Sequence, residues 1–234
     1  MKLLKFVKKS VKRFVKRFGF EIVPILPPPK VPRTILWLRQ FTYFARLFEL
    51  IKNTPGDIVE CGSGTGRTFL MLAYNISSEK SPHSVSRKLW GFDSFQGFPE
   101  PSKEDISPRG PEKGEWSHAS MDEVRRRLVV SGVIPNNFIE ERVEIVQGFF
   151  NETLKNFPER PIALLHLDAD LYQSYKDALT ILFPKVAEGG VVTFDEYGSR
   201  KWPGATQAVD EYFQNTKYRV ERDELSQKYF VIKK

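Results

Sequence analysis

Apolar positions along this chain alternate between a helical and an extended spacing. Phe41, Phe44, Ala45, Phe48 and Ile51 recur every three or four residues, and Pro55-Gly56 closes that run. Asp57 to Cys61 reads as a short buried strand, followed by a glycine-rich turn and a helical stretch from Thr68 to Ile76. Leu89 to Phe92 predicts a second strand, ending at Asp93, and Val143 to Val146 a third. Ile162 to Leu167 predicts a fourth strand and Gly190 to Phe194 a fifth, with a helix from Ser174 to Phe183 between them that Pro184 ends. Ser120 and Glu123 form a capping-box pattern for a helix through Leu128. Tyr218 to Glu221 and Tyr229 to Ile232, joined across Asp223 to Ser226, predict a closing hairpin. Strand-helix alternation of this kind predicts an α/β fold: a doubly wound, mostly parallel sheet with helices on both faces and an antiparallel end.

Two of the predicted strands end in acids. Leu164-Leu165-His166-Leu167 runs into Asp168-Ala169-Asp170, and Val191-Val192-Thr193-Phe194 into Asp195-Glu196. Parallel strands of this type deliver such residues to the carboxyl edge of the sheet, where open α/β folds bind ligands. Four carboxylates gathered there repel one another unless a proton or a cation shares the site, and a hard divalent cation such as Mg²⁺ is the natural partner for oxygen ligands. His166 also has acid-base chemistry, but its place inside an apolar strand suits a core histidine with a satisfied partner.

Charge changes the picture at one end only. Residues 1–29 carry eight Lys or Arg against Glu21, a net of +7, and the whole chain of 234 residues is also +7. The rest is neutral overall, so the basic pI does not point the folded body toward nucleic acid. Within residues 1–22, Leu3, Leu4, Val7, Val11, Phe14, Val15 and Phe18 alternate with the basic residues at helical spacing. Such a helix suits a peripheral contact with the inner membrane face, and equally suits packing on the domain or on a second subunit of a homo-oligomer. Residues 23–35, with five prolines, read as a stiff linker into a main domain at 36–234. The single cysteine, Cys61, excludes a disulfide framework and favours a cytoplasmic setting.

The turn after the first strand is Glu60-Cys61-Gly62-Ser63-Gly64-Thr65-Gly66. Glycines there let the backbone approach a ligand closely, and an acid at the end of the next strand, Asp93, can take both hydroxyls of a ribose. The spacing is Gly-x-Gly-x-Gly after an acid, not the Gly-x-Gly-x-x-Gly of the dinucleotide fingerprint, which favours S-adenosylmethionine. Glu60, Gly62, Ser63, Gly64, Gly66, Asp93 and Ser94 are the candidate cofactor positions. A nicotinamide-dependent oxidoreductase leaves the four acids unexplained; a non-catalytic, membrane-associated glycan-binding module has no need of them.

Several blocks then agree with one family in order. They are Gly56-Asp57-Ile58-Val59-Glu60-Cys61-Gly62, Gly91-Phe92-Asp93-Ser94-Phe95-Gln96-Gly97-Phe98-Pro99, and Leu167-Asp168-Ala169-Asp170-Leu171-Tyr172-Gln173-Ser174. Phe194-Asp195-Glu196-Tyr197-Gly198, Trp202-Pro203-Gly204-Ala205 and Ala208-Val209-Asp210 complete the set. Over about residues 40–215 the chain resembles the macrocin O-methyltransferase (TylF-like) family of metal-dependent, class I methyltransferases. The resemblance implies S-adenosylmethionine and Mg²⁺ or another divalent cation as cofactors, and a sugar hydroxyl of a glycan or glycosylated natural product as acceptor. It implies Asp168, Asp195 and Glu196 as metal ligands and Asp170 as general base. Family members often carry two aspartates where this chain has Asp195-Glu196. Residues 97–119, rich in Pro, Gly, Lys and Glu, read as a lid-like insertion whose Trp116 closes over the substrate. Tyr197, Arg200 and Trp202 are candidates for the wall of the acceptor pocket.

Overall fold

The computed structural model describes residues 31–234; the basic segment 1–22 and the linker to residue 30 lie outside the described residues. The first helix, α1 (Val31–Leu50), begins inside the stretch read as linker, ten residues before the apolar periodicity starts. Pro32 falls in its first turn, where a missing N–H costs nothing. Residues up to Trp37 group with the N-terminal segment, and Leu38–Lys234 form the unit described below.

Seven strands make one sheet in the order β3-β2-β1-β4-β5-β7-β6. The strands are β1 (Asp57–Cys61), β2 (Leu89–Asp93), β3 (Val143–Gln147), β4 (Ile162–Leu167), β5 (Val186–Phe194), β6 (Glu221–Arg222) and β7 (Tyr229–Ile232). The first five pair in parallel, while β7 runs antiparallel to β5 and β6 antiparallel to β7. The intervening helices are α2 (Arg67–Ser78), α3 (Met121–Val130), α4 (Asn136–Arg142), α5 (Phe150–Thr153), α6 (Tyr172–Leu182) and α7 (Pro203–Phe213). The doubly wound sheet expected from the sequence is therefore present.

Strand side chains alternate between faces, and two cores follow from that alternation. Val59, Cys61, Leu165, Leu167, Val192 and Phe194 pack with α6 and α7. Ile58, Leu164 and Val191 pack with α1, α2, α3 and α4. Central strands β1 and β4 are buried throughout, as sheets covered on both sides require. Because β1 and β4 are neighbours in register, with Cys61 opposite Leu167, the glycine turn after one meets the first acid cluster after the other.

Three helices were not anticipated. α4 and α5 span only 7 and 4 residues, too short to display a period. α7 opens with Pro203-Gly204 and has no side-chain cap, which hides its start although Ala205, Ala208, Val209 and Phe213 are all buried. The hairpin's first arm is also shorter than expected. Asp223 accepts the Ser226 N–H at 2.7 Å, so the turn begins directly after Arg222.

The opposite, amino-terminal edge of the sheet is held by Arg87, which is 1% exposed. Its guanidinium pairs with Glu79 at 3.0 Å and donates to the carbonyls of Gly56 at 2.7 Å and Ile51 at 2.9 Å. Removing one partner of a buried charged network leaves the other uncompensated. Arg87→Ala should therefore cost about 3–5 kcal/mol, read as a lowered urea midpoint at unchanged slope. A loss below about 1 kcal/mol would show that the network carries little.

Candidate active site

The turn after β1 is built around Gly62, at φ +94°. A Cβ on this residue would lie 1.8 Å from the Asp168 carbonyl oxygen, so no side chain fits between the two strand ends. The Asp168 N–H donates to the Cys61 carbonyl at 2.9 Å, and the Gly62 N–H to the Phe92 carbonyl at 2.8 Å. Asp93 braces the same turn: its carboxylate accepts the Gly64 N–H and the Phe95 N–H, both at 2.7 Å. Gly66 stands at the start of α2 in the left-handed region. Ser94 spends its hydroxyl locally, donating to the Gly97 carbonyl at 2.8 Å and accepting the Gln96 N–H at 3.1 Å. Two buried polar atoms in this region, Glu60 Oε2 and Ser63 Oγ, have no hydrogen-bond partner among the described residues. Unpartnered buried oxygens beside a glycine turn are what a polar ligand would satisfy.

The acids meet one step along the sheet. One oxygen each of Asp168 and Asp195 and one ring nitrogen of His166 lie within 4.8 Å of one another. Register explains it: His166 pairs with Thr193 and Leu167 with Phe194, which sets Asp168 beside Asp195. Burial pushes Asp168 up to about 7, helped by the charge of Asp195. Asp170, at φ +58°, is pushed up to about 8 by burial, then by Asp168 and Asp195. Asp195 goes the other way: burial would raise it, but the Lys228 ammonium paired with it outweighs that and keeps it ionised. Glu196 is driven well up by burial and by Asp168, Asp195 and Asp170.

Glu196 is bonded both to Tyr175 and to the neighbouring Asp195. The Tyr175 hydroxyl lies 2.8 Å from Glu196 Oε2 and 2.9 Å from the Leu167 carbonyl. The one hydroxyl proton is shared between these two acceptors, and the Glu196 N–H donates to the hydroxyl oxygen at 3.3 Å.

His166 is a core histidine, as its strand position suggested, and a neighbour of the acids as well. Its Nδ1 lies 3.1 Å from Glu60 Oε1, and its ring meets Phe44 edge-on at 5.1 Å. Burial opposes its charged form, but the Glu60 bond and charge, with Asp168 and Asp195, win and raise its affinity for a proton. A hard cation prefers the neighbouring carboxylate oxygens to an imidazole nitrogen.

Residues 97–119 form an ordered wall. Phe98, Trp116 and Trp202 pack against one another with centroids 5.0–5.7 Å apart, and the Arg109 guanidinium lies 4.7 Å from the Trp202 ring centroid and 5.1 Å from that of Trp116. Arg109 is itself neutralised by Glu115. Trp116 remains half exposed.

The Macrocin-O-methyltransferase (TylF) family profile matches residues 29–227. This chain belongs to that family. It is 34% identical over 167 residues to the demethyldecarbamoylnovobiocin O-methyltransferase of Streptomyces niveus, covering 68% of this chain and 59% of the relative. It is 29% identical over 175 residues to the 8-demethyl-8-(2,3-dimethoxy-alpha-L-rhamnosyl)-tetracenomycin-C 4'-O-methyltransferase of Streptomyces olivaceus, covering 72% of this chain and 64% of that one. The chain thus spans about three fifths of the length of these relatives. In structure, a calicheamicin methyltransferase superposes with a TM-score of 0.73 at 24% identity, covering 83% of this chain and 79% of that one. That likeness establishes the class I methyltransferase fold.

For a macrocin-O-methyltransferase family member, the sequence pattern gave no hint of Asp105 or Lys228, which the fold carries to the acid clusters from distant segments. Lys228 was legible only as the residue before β7, and the hairpin that brings it to Asp195 is a tertiary event. Among the described residues no helix is long and apolar enough to cross a membrane.

The crowding of acids has a measurable consequence without a cation. Asp168 and Asp170 bind a proton more tightly folded than unfolded, where an aspartate titrates near 4. Stability in chelator should therefore be lowest above pH 8 and rise as pH falls through 8 and 7. Each kcal/mol of relief moves Tm by about 2–4 °C in a domain this size. Thermal melts in EDTA between pH 8.5 and 6 should show that rise, flattened by Asp170→Asn. A Tm that falls over the same range would contradict the charge assignment.

Proposed function

We propose that this chain transfers a methyl group from S-adenosylmethionine to a hydroxyl of a sugar. The observation that carries the reading is the contact of Gly62 with Asp168: a turn with the cofactor pattern abuts, backbone to backbone, the acids that would work on the acceptor. On this reading Glu60, Gly62, Ser63, Gly64, Gly66, Asp93 and Ser94 surround the cofactor. The orphaned Glu60 Oε2 and Ser63 Oγ are suited to its polar groups, and Asp93, with lone pairs left beyond its two backbone bonds, to a ribose diol. The cofactor supplies an activated methyl carbon on a sulfonium.

Asp168 and Asp195 are the proposed ligands for Mg²⁺ or another divalent cation. Glu196, bonded through Oε2 to Tyr175, would be the third carboxylate to hold it. The donor set fits: half-buried carboxylate oxygens, mutually repelling, with Lys228 paired to Asp195. A cation held there supplies positive charge that keeps the acids ionised and steadies charge growing on the acceptor oxygen. Asp170 accepts the hydroxyl proton as the oxygen attacks the methyl carbon. The carbon–sulfur bond breaks, its electron pair stays on sulfur, and S-adenosylhomocysteine leaves as a neutral thioether. Orientation of the two reactants in line is the protein's main contribution.

Trp116, half exposed and backed by the buried Trp202, is the proposed acceptor wall, an aromatic surface suited to the apolar face of a sugar ring. The relative that acts on a rhamnosyl group makes deoxyhexoses the first class to test. Incubation with S-adenosylmethionine, Mg²⁺ and a panel of rhamnosides and TDP-rhamnose should give a methylated sugar. EDTA and Asp168→Ala should abolish turnover, and Asp170→Asn should lower kcat by about 10²–10⁴-fold with cofactor affinity kept. Turnover indifferent to both EDTA and Asp168→Ala would sink the proposal, as would binding of NADH in preference to S-adenosylmethionine.

A further inference from the structure

α6 follows the Asp168-Ala169-Asp170 cluster directly, yet it has no cap of its own. Its N-cap residue is Leu171, whose side chain can accept nothing, and Asp170 before it stands in the left-handed region at φ +58°. An aspartate there is tolerated only when its surroundings hold it. The Leu171 N–H is tied back to the Ala169 carbonyl at 2.6 Å, which tightens the turn without fixing its exit. The Tyr172 N–H, one of the helix's orphan donors, is taken by Asp105 Oδ1 at 2.8 Å, from a residue 67 positions earlier in the chain. Asp105 is 2% exposed. Its other oxygen, Oδ2, accepts the Ser102 N–H at 2.9 Å and the Ser102 hydroxyl at 3.0 Å. The space around it is reserved on the far side too: a Cβ on Gly204, in the first turn of α7, would lie 2.1 Å from Asp105 Oδ1.

We propose that Asp105 is a positioning residue for Asp170: it caps α6 in trans and so fixes the strained turn that aims the base, linking insertion 97–119 to the acids. This rests on the proposed methyl transfer. Asp105 is 2% exposed and both its oxygens face protein donors, so it meets no substrate and acts through the turn. One oxygen serves the helix and the other serves the insertion, which makes the two roles separable. A merely structural residue would anchor the insertion through Ser102 and be indifferent to which atom faces Tyr172.

The test compares Asp105→Ala, Asp105→Asn and Gly204→Ala. Asparagine keeps an acceptor oxygen for Tyr172 and gives up the Ser102 bonds. Gly204→Ala keeps the Asp105 carboxylate but crowds its Oδ1 off the helix, and also presses on the Tyr172 Cβ, 2.8 Å from the added methyl. Hydrogen exchange of the 168–175 segment, S-adenosylmethionine affinity and kcat on TDP-rhamnose or the rhamnoside the wild type methylates are measured for each. Loss of helix capping should speed exchange at Tyr172 in Asp105→Ala and Gly204→Ala, with S-adenosylmethionine affinity unchanged. Misplacement of a reacting group by about 1 Å costs on the order of 10²-fold, so kcat should fall by about that factor in both, while Asp105→Asn stays within about threefold of wild type. If Asp105→Ala and Asp105→Asn lose kcat equally, or exchange at Tyr172 is unchanged in Asp105→Ala, the positioning role is wrong. Should Asp105→Ala fail to fold, Gly204→Ala against Asp105→Asn decides by the same readouts. A wild type that methylates no sugar overturns the function, whereas the exchange measurements still decide what Asp105 holds.

Discussion

Everything at the carboxyl edge of this sheet depends on two strand ends that touch through their backbones. Gly62 and Asp168 approach so closely that a single methyl group on Gly62 would collide with the Asp168 carbonyl oxygen. The parallel pairing of β1 and β4 sets this contact, and the Asp168 N–H bond to Cys61 closes it. A turn that reads as a cofactor cradle and an acid cluster that reads as an acceptor site thereby become one surface. Neither needs a loop to bring it to the other, so their spacing is as rigid as the sheet.

The second constraint is charge. Four carboxylates and a histidine are packed where water is scarce, and the chain's own counter-charges balance them only in part. Lys228 holds Asp195 low, and His166, whose proton affinity Glu60, Asp168 and Asp195 raise against the opposing burial, sits beside them in the core. Asp168, Asp170 and Glu196 are left with raised proton affinity. Such a cluster stores unfavourable energy that a bound cation would relieve, which is the usual way a fold reserves a site for one. The same crowding sets the acids apart: Asp195, paired with a lysine, is held low, while Asp170 in the left-handed turn and Glu196 beside Tyr175 are pushed up.

Much of this was legible in residue order. β1 and β4 were bounded correctly because both are short apolar runs with turn residues after them, and β7 because Tyr229-Phe230-Val231-Ile232 is an unbroken aromatic and β-branched run between polar residues. The two acid clusters announced the ligand edge for the same reason. Other features were invisible because they are made by contacts distant in sequence. Asp105 reaches Tyr172 across 67 residues, and its local pattern, Ser102 to Asp105, reads only as a cap for a three-residue turn. The insertion read as polar loop because its apolar anchors, Phe98 and Trp116, find their partner in Trp202, far along the chain from both. His166 looked like core and is core, but strand register also places it beside Asp168 and Asp195.

The central claim is that the acids beside Gly62 form a divalent-cation site sharing one edge with the cofactor turn. Crystals grown with Mn²⁺ and S-adenosylhomocysteine, measured for anomalous scattering at the manganese edge, test it directly. The account predicts one strong peak within bonding distance of Asp168 and Asp195, with the homocysteine sulfur of the product facing the same cavity. A peak elsewhere on the protein, or product density on the far side of the sheet edge from these acids, would contradict it.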